Sequence, residues 1–309
     1  MKRRAVLGGA AATLLAATVL PRRPAVAQPP DVPYVPTPQA VVDEMLRIAQ
    51  VGAKDYLIDL GSGDGRIVIA AVKAYGARGF GVDLDGGLVN AAQREAERQG
   101  VAARAVFRQA NLFVTEIGDA TVVTMYLFPS VNLQLRPRLF DRLKPGTRVV
   151  SHDFDMGDWP PDERATVPVP DKRYGPPRSE VYLWIVPANA AGTWRWQLDV
   201  GGAPVTYEVA LEQRFQMLAG KPVVGGVPAR LEGGRMRGEE IRLRLTAAAG
   251  GREVRHEFTG RAAGDTIIGT ARLDGGGELV WNAARVRRAD MVIGERPRTT
   301  PAGFARHPS

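Results

Sequence analysis

Along residues 56–186, short apolar runs alternate with stretches whose apolar residues fall at helical spacing. The runs are Tyr56 to Leu60, Gly79 to Asp83, Ala105 to Gln109, Thr121 to Phe128, Thr147 to His152 and Val181 to Val186. Runs that are apolar at consecutive positions suit strands covered on both faces, because a half-exposed strand would alternate instead. A helix begins near Arg66, and an earlier one is marked by Val42, Met45, Leu46 and Ala49 and stopped by Gly52. Thr37-Pro38 reads as an N-cap followed by proline in the first turn. Alternation of this kind predicts an α/β domain over residues 28–187: a doubly wound, mostly parallel sheet with helices on both faces.

Beyond Pro187 the period changes. Trp194, Trp196, Leu198 and Val200 alternate with polar residues, as do Ile241, Leu243 and Leu245, and glycines at Gly233-Gly234 and Gly275-Gly276-Gly277 read as turns. This predicts a second domain over 188–288, a small antiparallel β barrel or sandwich, whose single helical candidate is one turn at Gln213 to Leu218. The prolines from Pro29 to Pro38 predict an extended lead, and residues 289–309 a loose tail.

At the N-terminus, Lys2-Arg3-Arg4 precedes an apolar run from Ala5 to Leu20, and Ala25-Val26-Ala27 has the small-x-small form of a cleavage site. Residues 1–27 therefore read as a signal peptide for export to the periplasm, by the twin-arginine or the general route; the alternative is an uncleaved membrane anchor, for which the apolar run is short. The formal charge is +8, but residues 1–27 hold five basic and no acidic side chains, which leaves 36 basic against 33 acidic, or +3. Much of that excess lies in the tail, so composition gives no support to a nucleic-acid partner. There is no cysteine, hence no disulfide, no catalytic thiol and no thiolate metal site. Three scattered histidines predict no metal centre, and His256 reads as a packed core residue.

The chemistry concentrates in Tyr56-Leu57-Ile58-Asp59-Leu60-Gly61-Ser62-Gly63-Asp64-Gly65-Arg66. A dinucleotide fingerprint spaces its glycines G-x-G-x-x-G and places its pyrophosphate on the helix N-terminus, where a carboxylate at Asp59 would repel it. Here the spacing is G-x-G-x-G and the acid is present. S-adenosyl-L-methionine carries an ammonium and a sulfonium and no phosphate, so the same acid attracts it. Asp83, ending the next run, has the position and chemistry to accept two ribose hydroxyl protons. The plain alternative is an ordinary α/β turn capped by Ser62 or Asp64.

Residues 30–187 resemble a class I S-adenosylmethionine-dependent methyltransferase. Val35-Pro36-Thr37-Pro38 together with the glycine turn is similar to the ATP synthase c-subunit lysine methyltransferases. The resemblance implies that Asp59, Gly61, Ser62, Gly63, Asp64 and Gly65 cradle the methionyl part of the cofactor and that Asp83 holds its ribose. Where the family usually has an acid against adenine this chain has Asn111, whose amide oxygen can accept from the exocyclic amine. It also implies that the acceptor side is lined by the loop Tyr126 to Pro129 and by Ser151-His152-Asp153. Tyr126 and Pro129 then stand beside the sulfonium, and His152 or Asp153 orients or deprotonates the acceptor. Each of these four also has a structural reading as a strand end, cap or turn. Three functions follow: methyl transfer to a protein side chain, lysine included, or to a small molecule; nucleoside binding without catalysis; or a β-domain binding function with the α/β half as scaffold. Export sits awkwardly with a cytoplasmic methyl donor, unless the folded protein leaves already loaded or the N-terminus anchors it on the cytoplasmic side.

Overall fold

The computed structural model describes residues 34–294, apart from 250 and 275. The signal-peptide reading of residues 1–27 and the 289–309 tail from residue 295 onward lie outside the described residues. The first eleven elements are α1 (Gln39–Ile48), β1 (Tyr56–Leu60), α2 (Arg66–Tyr75), β2 (Arg78–Asp83), α3 (Gly86–Arg98), β3 (Ala105–Gln109), β4 (Val122–Met125), α4 (Pro129–Arg142), β5 (Arg148–His152), β6 (Glu163–Pro168) and β7 (Arg178–Ile185). They build one seven-stranded sheet in the order β3-β2-β1-β4-β5-β7-β6, with β7 antiparallel to both its neighbours.

The first five strands, β1 to β5, run parallel, and continuous burial from Leu57 to Leu60 and from Val122 to Met125 matches the two-sided cover of β1 and β4. Val41, Val42, Met45, Leu46 and Ile48 bury one face of α1 against this core. Strand order reverses beside β1, whose neighbours are β2 and β4. In open parallel sheets a crevice opens there, at the carboxyl ends of the strands.

Several expectations need correction. The helix that Thr37 was expected to cap is entered through Pro38, whose carbonyl accepts from Val41 and Val42, and the Thr37 hydroxyl bonds His152 instead. The fourth apolar run is strand only over Val122–Met125, since residues 126–128 leave the sheet toward α4. β6 escaped the pattern because its burial is confined to one residue in six, as befits an edge strand.

The second sheet comprises β8 (Gly192–Val200), β9 (Ala203–Arg214), β10 (Met217–Val224), the two-residue β11 (Val227–Pro228), β12 (Arg230–Arg237), β13 (Glu240–Ala249), β14 (Arg252–Ala263), β15 (Thr266–Leu273) and β16 (Glu278–Arg288). β16 pairs with β8 and β10 with both β9 and β12, so eight antiparallel strands close into a barrel, with β11 on β10. Trp196, Tyr207, Phe258 and Trp281 fill its interior with centroids about 5 Å apart. His256 is buried among them and bonds the Tyr207 hydroxyl at 3.0 Å. Gly233 and Gly234 lie within β12, beside an irregularity in its pairing with β13, rather than in a turn. Residues 213–218 form a tight hairpin rather than a helical turn.

That hairpin fastens the barrel to the α/β half. Phe215, only 1 % exposed, stacks on Trp159 at 6.0 Å and lies 5.9 Å from Phe140. Gln216 accepts from Trp159 Nε1 at 3.0 Å and donates to the Pro160 carbonyl at 2.6 Å. Arg214 and Arg136 both pair with Asp158.

Candidate functional site

The parallel register sets Asp59 of β1 between Gly81 of β2 and Thr124 of β4. Thr124 Oγ1 donates to Asp59 Oδ1 at 2.8 Å, its one hydrogen-bond partner among the described residues. Asp59 is 2 % exposed, and burial pushes its carboxyl up to about 7, with the nearby Asp83 and Asp64 charges adding to the rise. An acid held this way becomes fully ionised when a cation reaches it.

Immediately after β1 the chain turns through Gly61, Gly63 and Gly65, all at positive φ (81°, 51° and 79°). A side chain at Gly63 would collide with the Tyr34 ring, and one at Gly65 would stand 2.6 Å from Phe107 Cζ. Both positions therefore require glycine sterically as well as conformationally. Ser62 Oγ is buried and has no partner among the described residues. Neither Ser62 nor Asp64 caps α2, whose N-cap is Gly65.

Asp83 at the end of β2 ties the turn to its neighbour. Its Oδ2 accepts from Gly63 N at 2.9 Å and its Oδ1 from Asp85 N at 3.0 Å, which leaves a second lone pair on each oxygen. Asn111 lies beyond β3, and its amide oxygen accepts from Phe113 N at 2.9 Å. That oxygen thus closes a local turn, and the amide nitrogen is the freer end.

Asp64 is occupied by protein. It pairs with Arg66 at 2.5 Å and also accepts from Arg66 N, while Arg66 Nη1 donates to the Thr37 carbonyl at 2.8 Å. Burial, then Asp64, pushes the Tyr34 phenol up to about 12, so it remains a donor. The Tyr34 to Thr37 segment is thereby strapped across the glycine turn. The proline-rich lead lies outside the described residues up to 33; its described part, Tyr34 to Pro38, carries neither helix nor strand, and nothing in its sequence signals this contact.

On the far side, Tyr126 leaves β4 and lays its ring 3.8 Å from that of His152; its hydroxyl is 3.5 Å from Asp153 Oδ2. Burial and the Asp153 charge push this phenol also to about 12. Phe128 and Phe154, each 6.1 Å centroid to centroid along the chain Tyr126, Phe154, Phe128, complete an aromatic rim. Phe128 stays 40 % exposed. Pro129 sits at the first position of α4. Successive turns of α4 hold the facing loop: Asn132 Nδ2 donates to the carbonyls of Phe154 and Asp155, and Arg136 Nη1 to that of Met156.

Asp153 adopts the left-handed φ of 60° just past β5. Its Oδ1 accepts from Glu180 N at 3.0 Å and its Oδ2 from Lys172 Nζ at 2.6 Å. His152 is placed otherwise than a base requires. It is 1 % exposed, with Nδ1 3.2 Å from Thr37 Oγ1 and Nε2 2.9 Å from Ser179 Oγ, and burial pushes its pKa down to about 4. A neutral imidazole with both nitrogens engaged ties the segment before α1, β5 and β7 together.

The rim therefore offers a buried acid awaiting a cation, an acid able to receive hydroxyl donors, a turn that excludes side chains and a wall of aromatic faces. These groups suit S-adenosylmethionine, and the acid ahead of the turn opposes a diphosphate. The comparisons with known proteins agree. The ANTKMT methyltransferase domain matches residues 59–163. A protein-lysine N-methyltransferase of Saccharolobus islandicus (strain REY15A) is 44 % identical over 158 residues, covering 51 % of this chain and 95 % of that protein. The ATP synthase c-subunit lysine N-methyltransferase of Rattus norvegicus is 34 % identical over 157 residues, 51 % of this chain and 71 % of the relative. Among solved structures, an RNA methyltransferase from Salinibacter ruber in complex with S-adenosyl-L-homocysteine shares 53 % identity over 49 % of this chain and 93 % of its own, with a TM-score of 0.45. Of the three readings left open by the sequence, the enzyme is the one that the two lysine methyltransferases support. Through residues 59–163 the chain belongs to the family of the ANTKMT methyltransferase domain, and it is a methyltransferase whose cofactor is S-adenosylmethionine.

Proposed function

We propose that the protein transfers methyl groups to the ε-amine of lysine in a protein acceptor. The observation that carries this reading is the 44 % identity to a protein-lysine N-methyltransferase over 95 % of that relative's length. The aromatic rim of Tyr126, Phe128 and Phe154 beside the Asp153 carboxylate supports it, because an ammonium and its methylated products are stabilised by π faces and by an adjacent acid.

In this reading Asp59 meets the ammonium of the cofactor, Asp83 the ribose hydroxyls and the Asn111 amide the adenine edge. Gly61 and Gly63 allow the backbone to approach. Bound S-adenosylmethionine supplies an electrophilic methyl on sulfur. The protein's part is mostly alignment, which brings a lone pair onto the S-methyl axis, and removal of one proton from the acceptor ammonium. Asp153 takes that proton, and Tyr126, a phenol throughout the physiological range, hydrogen-bonds and walls the slot. Asp64 and His152 act at one remove, the first holding Arg66, the second joining the segment before α1 to β5 and β7.

Export through residues 1–27 to the periplasm belongs to the same proposal, as does a protein acceptor rather than a small molecule. Among the described residues no helix is long and apolar enough to cross a membrane. Incubating the full chain with methyl-labelled S-adenosylmethionine and cell protein, followed by hydrolysis and amino-acid analysis, tests the reaction. Label in mono-, di- or trimethyl-lysine supports it; label in another residue or only in small molecules overturns it.

A further inference from the structure

The loop between β6 and β7 carries an unusual lysine. Residues 170–178 are exposed with one exception, Lys172, which folds inward until its side chain is 11 % exposed. Its Nζ donates to Asp153 Oδ2 at 2.6 Å and to the Arg178 carbonyl at 2.8 Å. The same carboxylate oxygen lies 3.5 Å from the Tyr126 hydroxyl and 3.4 Å from His152 Nε2. The residue after Tyr126, Leu127, packs its side chain against the glycine turn, where a Cβ on Gly61 would stand 2.9 Å from Leu127 Cδ2. An ammonium of the chain itself is therefore seated on the acid and phenol that flank the cofactor turn. Lysine is rare here: Lys2, Lys54, Lys73, Lys144, Lys172 and Lys221 are the six in the sequence, beside an arginine-rich remainder. Lys54 lies between α1 and β1, Lys73 on α2, and Lys144 pairs with Asp119 on the surface. Lys221 lies on β10 of the barrel.

We propose that Lys172 is a methyl acceptor of its own active site: the β6–β7 loop presents it in cis to the donor, and methylation occurs within one molecule. The inference rests on the lysine-methylation reading above. Chemically, Lys172 Nζ passes a proton to Asp153 Oδ2, and its freed lone pair bonds the methyl carbon. The carbon–sulfur bond breaks with its electron pair going to sulfur, which leaves neutral S-adenosylhomocysteine as product. The proton on Asp153 then leaves to water. Glycine and prolines in the loop, Gly175 at φ 84° with Pro170, Pro176 and Pro177 around it, let Lys172 move as a unit while β6 and β7 stay paired.

The full chain, incubated with trideuteromethyl-labelled S-adenosylmethionine and mapped by peptide mass, reads this out. A separate lysine-rich protein in the same tube reports transfer in trans, and calorimetry reports donor binding. Expected are label on Lys172 in the peptide spanning residues 165–178, at a rate per molecule unchanged over a tenfold range of protein concentration, and loss of that label in Lys172→Arg with donor affinity held within about twofold. Label on the added protein with Lys172 unmodified overturns the inference alone, as does a Lys172 rate that grows with protein concentration. Donor binding with label on neither overturns it together with the lysine reading.

Discussion

Replacing Asp59 by asparagine separates the two consequences of burying an acid beneath a cation site. Without cofactor, burial holds the carboxyl near 7 instead of 3.8. About half of the molecules are then protonated at pH 7, and a cationic ligand must draw the proton off. Cofactor affinity is expected to follow the ionised fraction, which rises from roughly 0.09 at pH 6.0 to roughly 0.76 at pH 7.5. That is about eightfold in Kd, or ~1.3 kcal/mol. Binding at pH 7 is expected to release about half a proton, measurable by titration calorimetry with S-adenosylhomocysteine in two buffers of different ionisation enthalpy. In Asp59→Asn both the pH dependence and the proton release should vanish. Affinity at pH 7.5 should fall by roughly 10- to 150-fold, the loss of a charge-assisted hydrogen bond worth ~1.5–3 kcal/mol. Stability carries the opposite sign. Between pH 4 and 7 the folded protein holds a proton at Asp59 that the unfolded chain has lost, so wild-type stability falls as pH rises through this window, by up to about 4 kcal/mol for the shift from 3.8 to about 7. Cofactor-free Asp59→Asn should be spared that decline in urea melts. A wild-type Kd that is flat from pH 6.0 to 7.5, or an unchanged Kd in the variant, would refute the electrostatic reasoning.

Asp83→Ala should weaken cofactor binding by at least tenfold in calorimetry, with a change under twofold contradicting the ribose assignment. His152→Gln should leave the 5–8 region of the kcat/KM profile unshifted. Because His152 is held neutral down to about 4, wild type alone should lose about 3 kcal/mol on acidification from pH 6.5 to 4, where the unfolded histidine gains a proton that the folded one refuses. Phe215→Ala, which empties the aromatic seat formed by Trp159 and Phe140, should cost ~3–5 kcal/mol in denaturant unfolding. Cofactor Kd should move little, since the aromatic partners of Phe215 are Trp159 and Phe140 and not residues of the glycine turn. Sequencing the mature N-terminus after expression with the natural leader should begin at Gln28; an intact Met1 would contradict the signal-peptide reading.

Most of the α/β architecture was legible because buried parallel strands and crossover helices write opposite periods into the chain. The glycine turn with Asp59 and Asp83 was legible for a different reason: positive φ and close approach restrict residue type where nothing else does. Three features left no such trace. β6 is an edge strand with one buried residue, so neither period marks it. Barrel closure depends on β16 meeting β8, across nearly a hundred residues, and alternation within a strand is silent about its distant partner. The second layer of the site is likewise non-local: Thr37 meets His152, Tyr34 covers Gly63 and Lys172 reaches Asp153 through tertiary contacts that no spacing encodes. Thr37 and His152 show the pattern clearly, since each had a sound local reading, cap and base, that a contact 115 residues away replaced.

The decisive measurement is a crystal structure of the full chain with S-adenosylhomocysteine. The ligand is expected in the crevice at the carboxyl ends of β1 and β2, its ribose hydroxyls on Asp83 and its ammonium neutralised by Asp59 across the glycine turn. A ligand bound elsewhere, or one lying in that crevice with Asp59 still bonded to Thr124 alone and no cation near it, would contradict this assignment.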